Sequence, residues 1–480
     1  MITAERMAAV DENAAALGVP RKQLMESSGN AVAAAVRAVA TPDESVALVC
    51  GRGNNGGDAL VAARFLDDYD PAVHLLGRPE TVTTELAREN WAALDAAAYD
   101  TRVVRDSRDL DLGDPDVVVD ALLGTGVTGA LREPERSAAE AINAAARATV
   151  VAVDVPSGVD ADTGEAAGVA VDADRVVTFH DAKPGLDDLD AGVTVADIGI
   201  PAAAELFAGP GDRRVLTRPG DAHKGDFGEV LVVGGGPYTG APALAGQAAM
   251  RAGADLVRVA CPRAVAREVQ GFEAGLIVRP FDGDCLTTDR LGHVRTLAAD
   301  HDAVVFGPGL GDDEATLAAV REFLAGYDGR AVIDADALSV VPDVDTDATL
   351  LCTPHQGELR AMGGPSADDW RERLDAVSDF AATLGHTLLV KGAHDVIADG
   401  SDARVNRTGN PGMTVGGTGD VLAGMAGALL ATQDPLDAAT LAAYANGLAG
   451  DRLVERQGYG LLASDLLPEL PRALWGESDE

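Results

Sequence analysis

Short runs of aliphatic, often β-branched residues recur along this chain, and each ends in a polar loop that feeds a segment of helical periodicity. A short run that is apolar at every position reads as a strand buried on both faces. Strands that alternate with helices build a parallel sheet with helices on both sides. In the first half the expected strands are 45–50, 72–76, 116–120 and 149–153, with helices over 31–40, 59–66, 83–98 and 137–147. In the second half they are 229–233, 256–260, 303–306, 331–333, 350–352 and 387–390, with helices over 243–252 and 421–430. A chain of 480 residues exceeds what one core holds. The charged, turn-rich stretch Gly209-Pro210-Gly211-Asp212-Arg213-Arg214 is the expected break. The fold class is therefore α/β, with two doubly wound domains over residues 1–212 and 215–478.

Charge narrows the partners. The formal net charge is -39, spread along the chain in pairs such as Asp67-Asp68 and Asp312-Asp313. A surface this acidic repels nucleic acid and anionic membrane, so neither is an expected partner. Dispersed acidity of this kind fits a halophilic protein in a salty cytoplasm, where screening removes the self-repulsion. Lysine occurs only at positions 22, 183, 224 and 391, which makes each one a candidate for a role. The first residues carry Glu5, Arg6 and Asp11 around no apolar core, so no signal peptide is expected. No apolar run is long enough to span a membrane. Cys50, Cys261, Cys285 and Cys352 are scattered without metal-ligand spacing and read as small buried residues.

In the first half, three strands end in polar loops. The first is followed by Gly51-Arg52-Gly53-Asn54-Asn55-Gly56-Gly57-Asp58. Strand, glycine loop and helix make a dinucleotide-type turn, although the loop is not GxGxxG, so this half is read as a Rossmann-like three-layer αβα domain. The third strand runs into Asp120-Ala121-Leu122-Leu123-Gly124-Thr125-Gly126, and the fourth into Asp154-Val155-Pro156-Ser157-Gly158. Ligands of open α/β sheets bind at this edge. Oxygens of Asn55, Asp120 and Ser157 are placed to converge on one cation there. Two neutral oxygens and one carboxylate suit a large, weakly charged ion better than Mg²⁺.

These three loops together resemble the NAD(P)H-hydrate epimerase domain, also called the YjeF N-terminal domain, over roughly residues 1–210. The resemblance implies that Asn54, Asn55, Gly56, Gly57 and Asp58 hold a hydrated nicotinamide nucleotide. The same role falls to Gly124, Thr125, Gly126, Val127, Thr128, Gly129 and Ala130, and to Asp154. It implies K⁺ as the cation, with Asn55, Asp120 and Ser157 as its ligands. Asp120 is also the candidate acid or base. Ala59 departs from the pattern, because a glycine usually follows the aspartate, and its methyl group crowds the loop.

In the second half the densest signal is Arg407-Thr408-Gly409-Asn410-Pro411-Gly412-Met413-Thr414-Val415-Gly416-Gly417-Thr418-Gly419-Asp420, which runs into an apolar helix. Glycines let backbone N–H groups approach a ligand, and a helix start attracts anions. A carboxylate repels phosphate, so Asp420 at this point reads as a base beside a transferring phosphoryl group. Other strand ends carry Gly307-Pro308-Gly309-Leu310-Gly311, Asp334-Ala335-Asp336, Thr353-Pro354-His355-Gln356-Gly357-Glu358 and Lys391-Gly392-Ala393-His394-Asp395. Lysine at the end of a buried strand points to phosphate.

With His223-Lys224-Gly225 and Gly240-Ala241-Pro242, these motifs resemble the ADP- or ATP-dependent NAD(P)H-hydrate dehydratase domain, which is ribokinase-like, over roughly residues 215–475. The resemblance implies that Ala241, Gly309, His355 and Asp420 contact the hydrate. It implies that Lys391, Gly392, Ala393, His394, Asp395 and Gly419 hold ADP or ATP with Mg²⁺. The whole chain is then expected to be a bifunctional repair enzyme for NADHX and NADPHX, cytoplasmic and homo-oligomeric. Two rivals stay open: a small-molecule kinase of the ribokinase type, and a first domain that binds without catalysing.

Overall fold

The computed structural model describes residues 1–126 and 128–476. Val127 and residue 478, the expected end of the second domain, lie outside them. The chain divides into two compact units, Met1–Ala204 and a second that starts at Glu205. Residues 205–215 pack with the second unit: Ala208 N–H bonds to Val405 O (3.0 Å), and the Arg407 guanidinium lies 3.7 Å over the Phe207 ring. The turn-rich break at 209–214 thus lies slightly beyond the division.

Among the described residues, the first unit holds one seven-stranded parallel sheet. Its strands are β1 (Val46–Cys50), β2 (Ala72–Leu76), β3 (Thr101–Val104), β4 (Val117–Ala121), β5 (Thr149–Val153), β6 (Arg175–Phe179) and β7 (Gly192–Ala196). They lie in the order β3-β2-β1-β4-β5-β6-β7. Side chains alternate between two cores. Val46, Leu48 and Cys50 face one side with Val117 and Val119, while Val49 and Val118 face the other. That is the burial on both faces that the apolar runs require.

The second unit repeats the scheme with β8 (Glu229–Val233), β9 (Leu256–Ala260), β10 (Ile277–Val278), β11 (Ala303–Phe306), β12 (Arg330–Ile333), β13 (Thr349–Cys352), β14 (Thr387–Val390), β15 (Asp395–Ala398) and β16 (Ala403–Asn406). The order is β10-β9-β8-β11-β12-β13-β14-β15-β16, parallel as far as β14 and antiparallel beyond it. In both sheets the order reverses once, between β1 and β4 and between β8 and β11. A crevice opens at such a reversal, so the loops after these strands flank a ligand site.

Glycine is required where these loops meet. A β-carbon on Gly51 would lie 1.9 Å from Leu122 O, and one on Gly307 1.9 Å from Asp334 O. Gly307 also has φ 133, outside the range of ordinary side chains. Gly307→Ala is expected to destabilise the second unit by about 3 kcal/mol, read as a lower urea midpoint for that unit's unfolding.

Two helix starts differ from the sequence expectation. The helix after β1 spans Asn54–Phe65, so Asn54 to Asp58 form its first turns rather than a preceding loop. Likewise the helix carrying Asp420 begins at Thr418. Polar and glycine residues carry no apolar period, so the period marks only where a helix enters the core. The four cysteines are free, with Cys50, Cys261 and Cys352 buried. Among the described residues, no helix is long and apolar enough to cross a membrane.

Candidate functional site

The two crevices carry different chemistry. In the first unit, Asp120 is wholly buried at the end of β4. Its Oδ1 accepts from Ser157 Oγ (2.7 Å) and Leu122 N–H (3.2 Å), and its Oδ2 accepts from Ser157 N–H (2.8 Å). Burial pushes the carboxyl up to about 6, against the pull of the Ser157 and Leu122 bonds. Asn55 completes the cluster: a β-carbon on Gly124 would lie 3.1 Å from its Oδ1. Its Nδ2 is buried, with no partner among the described residues. Native proteins rarely leave a buried amide unmatched. This donor set fits a large monovalent cation. Among the described residues, no group of three His, Cys, Asp or Glu side chains forms a metal cage of the transition-metal kind.

Above this cluster stands the helix Asn54–Phe65, whose N-terminus has no side-chain cap. Its free N–H groups make an anion cradle. Gly124, Thr125, Gly126, Thr128, Gly129 and Ala130 form the turn after β4. A cleft of about 260 Å³ is bounded by Gly129, Gly158, Asp160 and Thr163. Asp154, after β5, adopts a left-handed backbone with φ 66. Its Oδ1 lies 3.2 Å from Lys183 Nζ and accepts from Thr178 Oγ1 (3.1 Å). Lys183 has no exposure at all. The motifs did not assign it, although the scarcity of lysine marked it. Ala59 is wholly buried inside the helix, so its methyl group packs into the core.

In the second unit the glycines bring two helix N-termini together. A β-carbon on Gly424 would lie 2.0 Å from Ala245 O, so helix Thr418–Leu430 packs backbone to backbone on helix Gly240–Ala252. Ala241 sits in the first turn of one and Asp420 in the first turn of the other. Gly309 joins them, since its β-carbon would lie 3.2 Å from that of Ala241. Neither helix has a side-chain cap, and Gly417 enters the second with φ 99.

Lys391 closes the cradle. Its Nζ is 2.9 Å from Asp334 Oδ1 and 3.6 Å from Glu358 Oε2, and a β-carbon on Gly419 would lie 3.5 Å from it. Burial disfavours the ammonium, but Asp334 and Glu358 outweigh that and raise its proton affinity. Thr353 Oγ1 donates to Asp334 Oδ1 (2.8 Å). Burial, helped by Asp334 and opposed by Lys391, pushes Asp420 up to about 7. Asp334 and Glu358 were visible in the sequence only as polar strand ends.

His355 is exposed and caps the helix Gln356–Ala361. Its Nδ1 accepts from Glu358 N–H (2.9 Å), and Glu358 Oε2 accepts from His355 N–H (2.7 Å). Lys391 N–H bonds to Pro354 O (2.8 Å), which sets His355 beside the lysine. Asp395 is turned inward: it accepts from Gly392 N–H and Asn406 Nδ2, both at 2.9 Å, and burial pushes it up to about 6. The His394 ring stacks on Trp370 with centroids 5.6 Å apart, while Arg373 Nη2 donates to His394 O (2.8 Å). Gly392 and Ala393 are left exposed at the tip. A Mg²⁺ that arrives with nucleotide phosphates needs one or two carboxylates, which this site supplies.

Two fused α/β units, each with an anion cradle at its sheet reversal, define a nucleotide-handling pair of domains. Residues 21–185 match the family described as YjeF-related protein N-terminus, and residues 230–472 match NAD(P)H-hydrate dehydratase. A bifunctional NAD(P)H-hydrate repair enzyme of Methanothermobacter thermautotrophicus is 44% identical, covering 98% of this chain and 94% of its own. That of Archaeoglobus fulgidus is 43% identical, covering 98% of both. The chain belongs to the family of bifunctional NAD(P)H-hydrate repair enzymes. Among solved structures, an ADP/ATP-dependent NAD(P)H-hydrate dehydratase from Bacillus subtilis, co-crystallised with ATP/Mg²⁺, is 29% identical over 56% of this chain and 97% of its own, with a TM-score of 0.49.

Proposed function

We propose that the first unit interconverts the R and S forms of NADHX and NADPHX, and that the second dehydrates the S form to NAD(P)H at the expense of ADP or ATP. The observation that carries the second step is Asp420. It is a carboxyl poised near neutral pH, in the first turn of an uncapped helix, with Lys391 beside it.

Water adds to the reduced nicotinamide across its 5,6 double bond, leaving a hydroxyl on C6, next to the ring nitrogen. Hydroxide leaves poorly. The bound nucleotide supplies the phosphoryl group that makes it a better leaving group, and Mg²⁺ offsets its charge. Asp420 takes the hydroxyl proton as the C6 oxygen attacks. N–H groups of Thr418 and Gly419, with those at the start of helix Gly240–Ala252, bind the phosphate oxygens. In this reading Lys391 and the exposed tip at Gly392 and Ala393 would hold the nucleotide, Glu358 would be the carboxylate that holds its metal, and His355 would contact the hydrate. In the first unit K⁺ would be held by Asn55, Asp120 and Ser157, and would fix the turn at Gly124 against the helix start at Asn54. Placement in a salty cytoplasm is supported by the net charge of -39.

The test is direct. Enzymatically prepared NADH hydrate, ADP and Mg²⁺ are incubated with the full chain, and the near-ultraviolet absorbance of reduced nicotinamide is followed. Its return supports the dehydratase. No return, with phosphorylation of a vitamin alcohol instead, sinks it in favour of a kinase. The same assay started from the R form, in K⁺ against Li⁺, tests the epimerase and its cation: faster conversion in K⁺ is expected.

A further inference from the structure

We propose that Arg373 is a positioning residue for the nucleotide, holding the tip 392–395 in one shape against the start of the helix Gln356–Ala361; this rests on the dehydratase reading of the second unit. Asp369 caps the helix Trp370–Leu384 by accepting from Arg371 N–H (2.7 Å). The buried residues of that helix are Arg373, Val377 and Ala381, at a spacing of four. Such a stripe faces a core and calls for apolar side chains. An arginine stands in it instead, with 6% exposure.

The guanidinium joins three segments. Its Nη2 donates to His394 O (2.8 Å) in the tip, and its Nη1 donates to Ala367 O (3.3 Å), ahead of its own helix. The terminal amide of Gln356 lies 3.1 Å from Nη1 and 3.2 Å from Nε, and with its oxygen toward the guanidinium it accepts from both. A β-carbon on Gly392 would lie 3.3 Å from Nη2, so the guanidinium runs against the backbone of the tip. Trp370, at the start of the same helix, stacks on the His394 ring. The first turn of this helix therefore grips His394 by both ring and carbonyl.

Packing alone does not account for an arginine here. Every partner is a neutral oxygen, and among the described residues no carboxylate forms an ion pair with it. A buried charge without a counter-ion is unfavourable, and an aliphatic side chain would fill the stripe without that penalty. An aliphatic side chain would not tie two strand-end loops together with a planar fork of N–H donors. In the dehydratase reading those loops serve different ligands. Gln356 follows His355 on the hydrate side, and His394 belongs to the nucleotide stretch. The helix at Gln356 needs little support, because His355 and Glu358 cap it and Leu359 is wholly buried. The tip, exposed at Gly392 and Ala393, is the segment that Arg373 fixes. A tip already in its binding shape loses less entropy when the nucleotide arrives. That gain is the same before and during phosphoryl transfer, so it appears in KM rather than in kcat.

Dehydration of the S hydrate is measured on the full chain, with ADP and hydrate varied in turn. Arg373→Lys keeps the charge and removes the fork. It should raise KM for ADP by about 10-fold, the effect of losing one charge-assisted hydrogen bond. Both kcat and KM for the hydrate should stay within about threefold. In Arg373→Ala, millimolar guanidinium chloride should restore the affinity for ADP, and ammonium chloride should not. Gln356→Leu should raise KM for ADP in the same direction and add little when combined with Arg373→Lys. An unchanged KM for ADP in Arg373→Lys overturns the proposal. Rescue by ammonium as well as guanidinium overturns it in favour of charge alone, and a loss confined to kcat overturns it in favour of a general structural role. If the Arg373 variants fail to fold, Gln356→Leu decides, and an unchanged KM for ADP there overturns the proposal. Wild-type chain that leaves the hydrate intact overturns the dehydratase reading and the proposal with it. Wild-type activity with unmoved KM values in the variants overturns the proposal alone.

Discussion

Asp420→Asn is expected to lower kcat for dehydration of the S hydrate by roughly 10³-fold and to leave R-to-S exchange as it was. The amide keeps the size of the side chain but cannot take the hydroxyl proton. Binding of hydrate and nucleotide should persist, so the loss falls on kcat rather than on KM. The pH dependence follows from the same group. As a base, Asp420 works only when ionised, and burial holds it near 7. Wild-type dehydration should therefore rise with pH through about 7 and level off above. Asp334→Asn removes the carboxylate that raises it, so the limb should move to lower pH. Rates across a pH series, with and without Asp334→Asn, check both points. A limb that ignores Asp334 would assign the titration to another group.

Lys391→Met is the second large effect. The ammonium sits between Asp334, 4% exposed, and Glu358, 23% exposed, at 2.9 and 3.6 Å. Removing it strands two poorly solvated carboxylates, a change that costs about 3–5 kcal/mol in buried pairs. The second unit should unfold at lower denaturant, and KM for ADP should rise. A double variant, Lys391→Met with Asp334→Asn, discriminates causes. It should recover much of the stability, since the more deeply buried of the two stranded charges is gone, but none of the nucleotide affinity. If the double variant is as unstable as the single one, packing rather than charge explains the loss.

Several elements were legible because their physics is local. Strands β1, β4, β5, β8 and β11 each carry a run of three or more consecutive apolar residues since both faces are covered, and each was placed within a residue or two. Strands β3, β6, β7, β15 and β16 escaped notice; β6 is buried like its neighbours, and β3 and β7 have a plainer reason. They sit at the sheet edges, where Val103, Val193 and Val195 face solvent and the run of apolar residues breaks down. The short β10, only partly buried, lacks a signal for the same reason. Motif residues were legible by type, while their partners were not. Nothing near Lys183 in the chain announces that it will lie inside the protein against Asp154, because that pairing depends on how β5 and β6 lie side by side. Asp334 likewise meets Lys391 only through the order of β12, β13 and β14. Sequence spacing gave the donors along each loop, and the sheet decided which loops meet.

From Val421 to Leu430 every residue of the helix behind Asp420 is buried, and Gly424 seats it against the neighbouring backbone. Such a helix cannot tilt or slide without opening the core around it. Asp420 is therefore a fixed anvil. Any closing motion has to come from segments less tightly packed than this helix, and the tip at Gly392 and Ala393 is exposed.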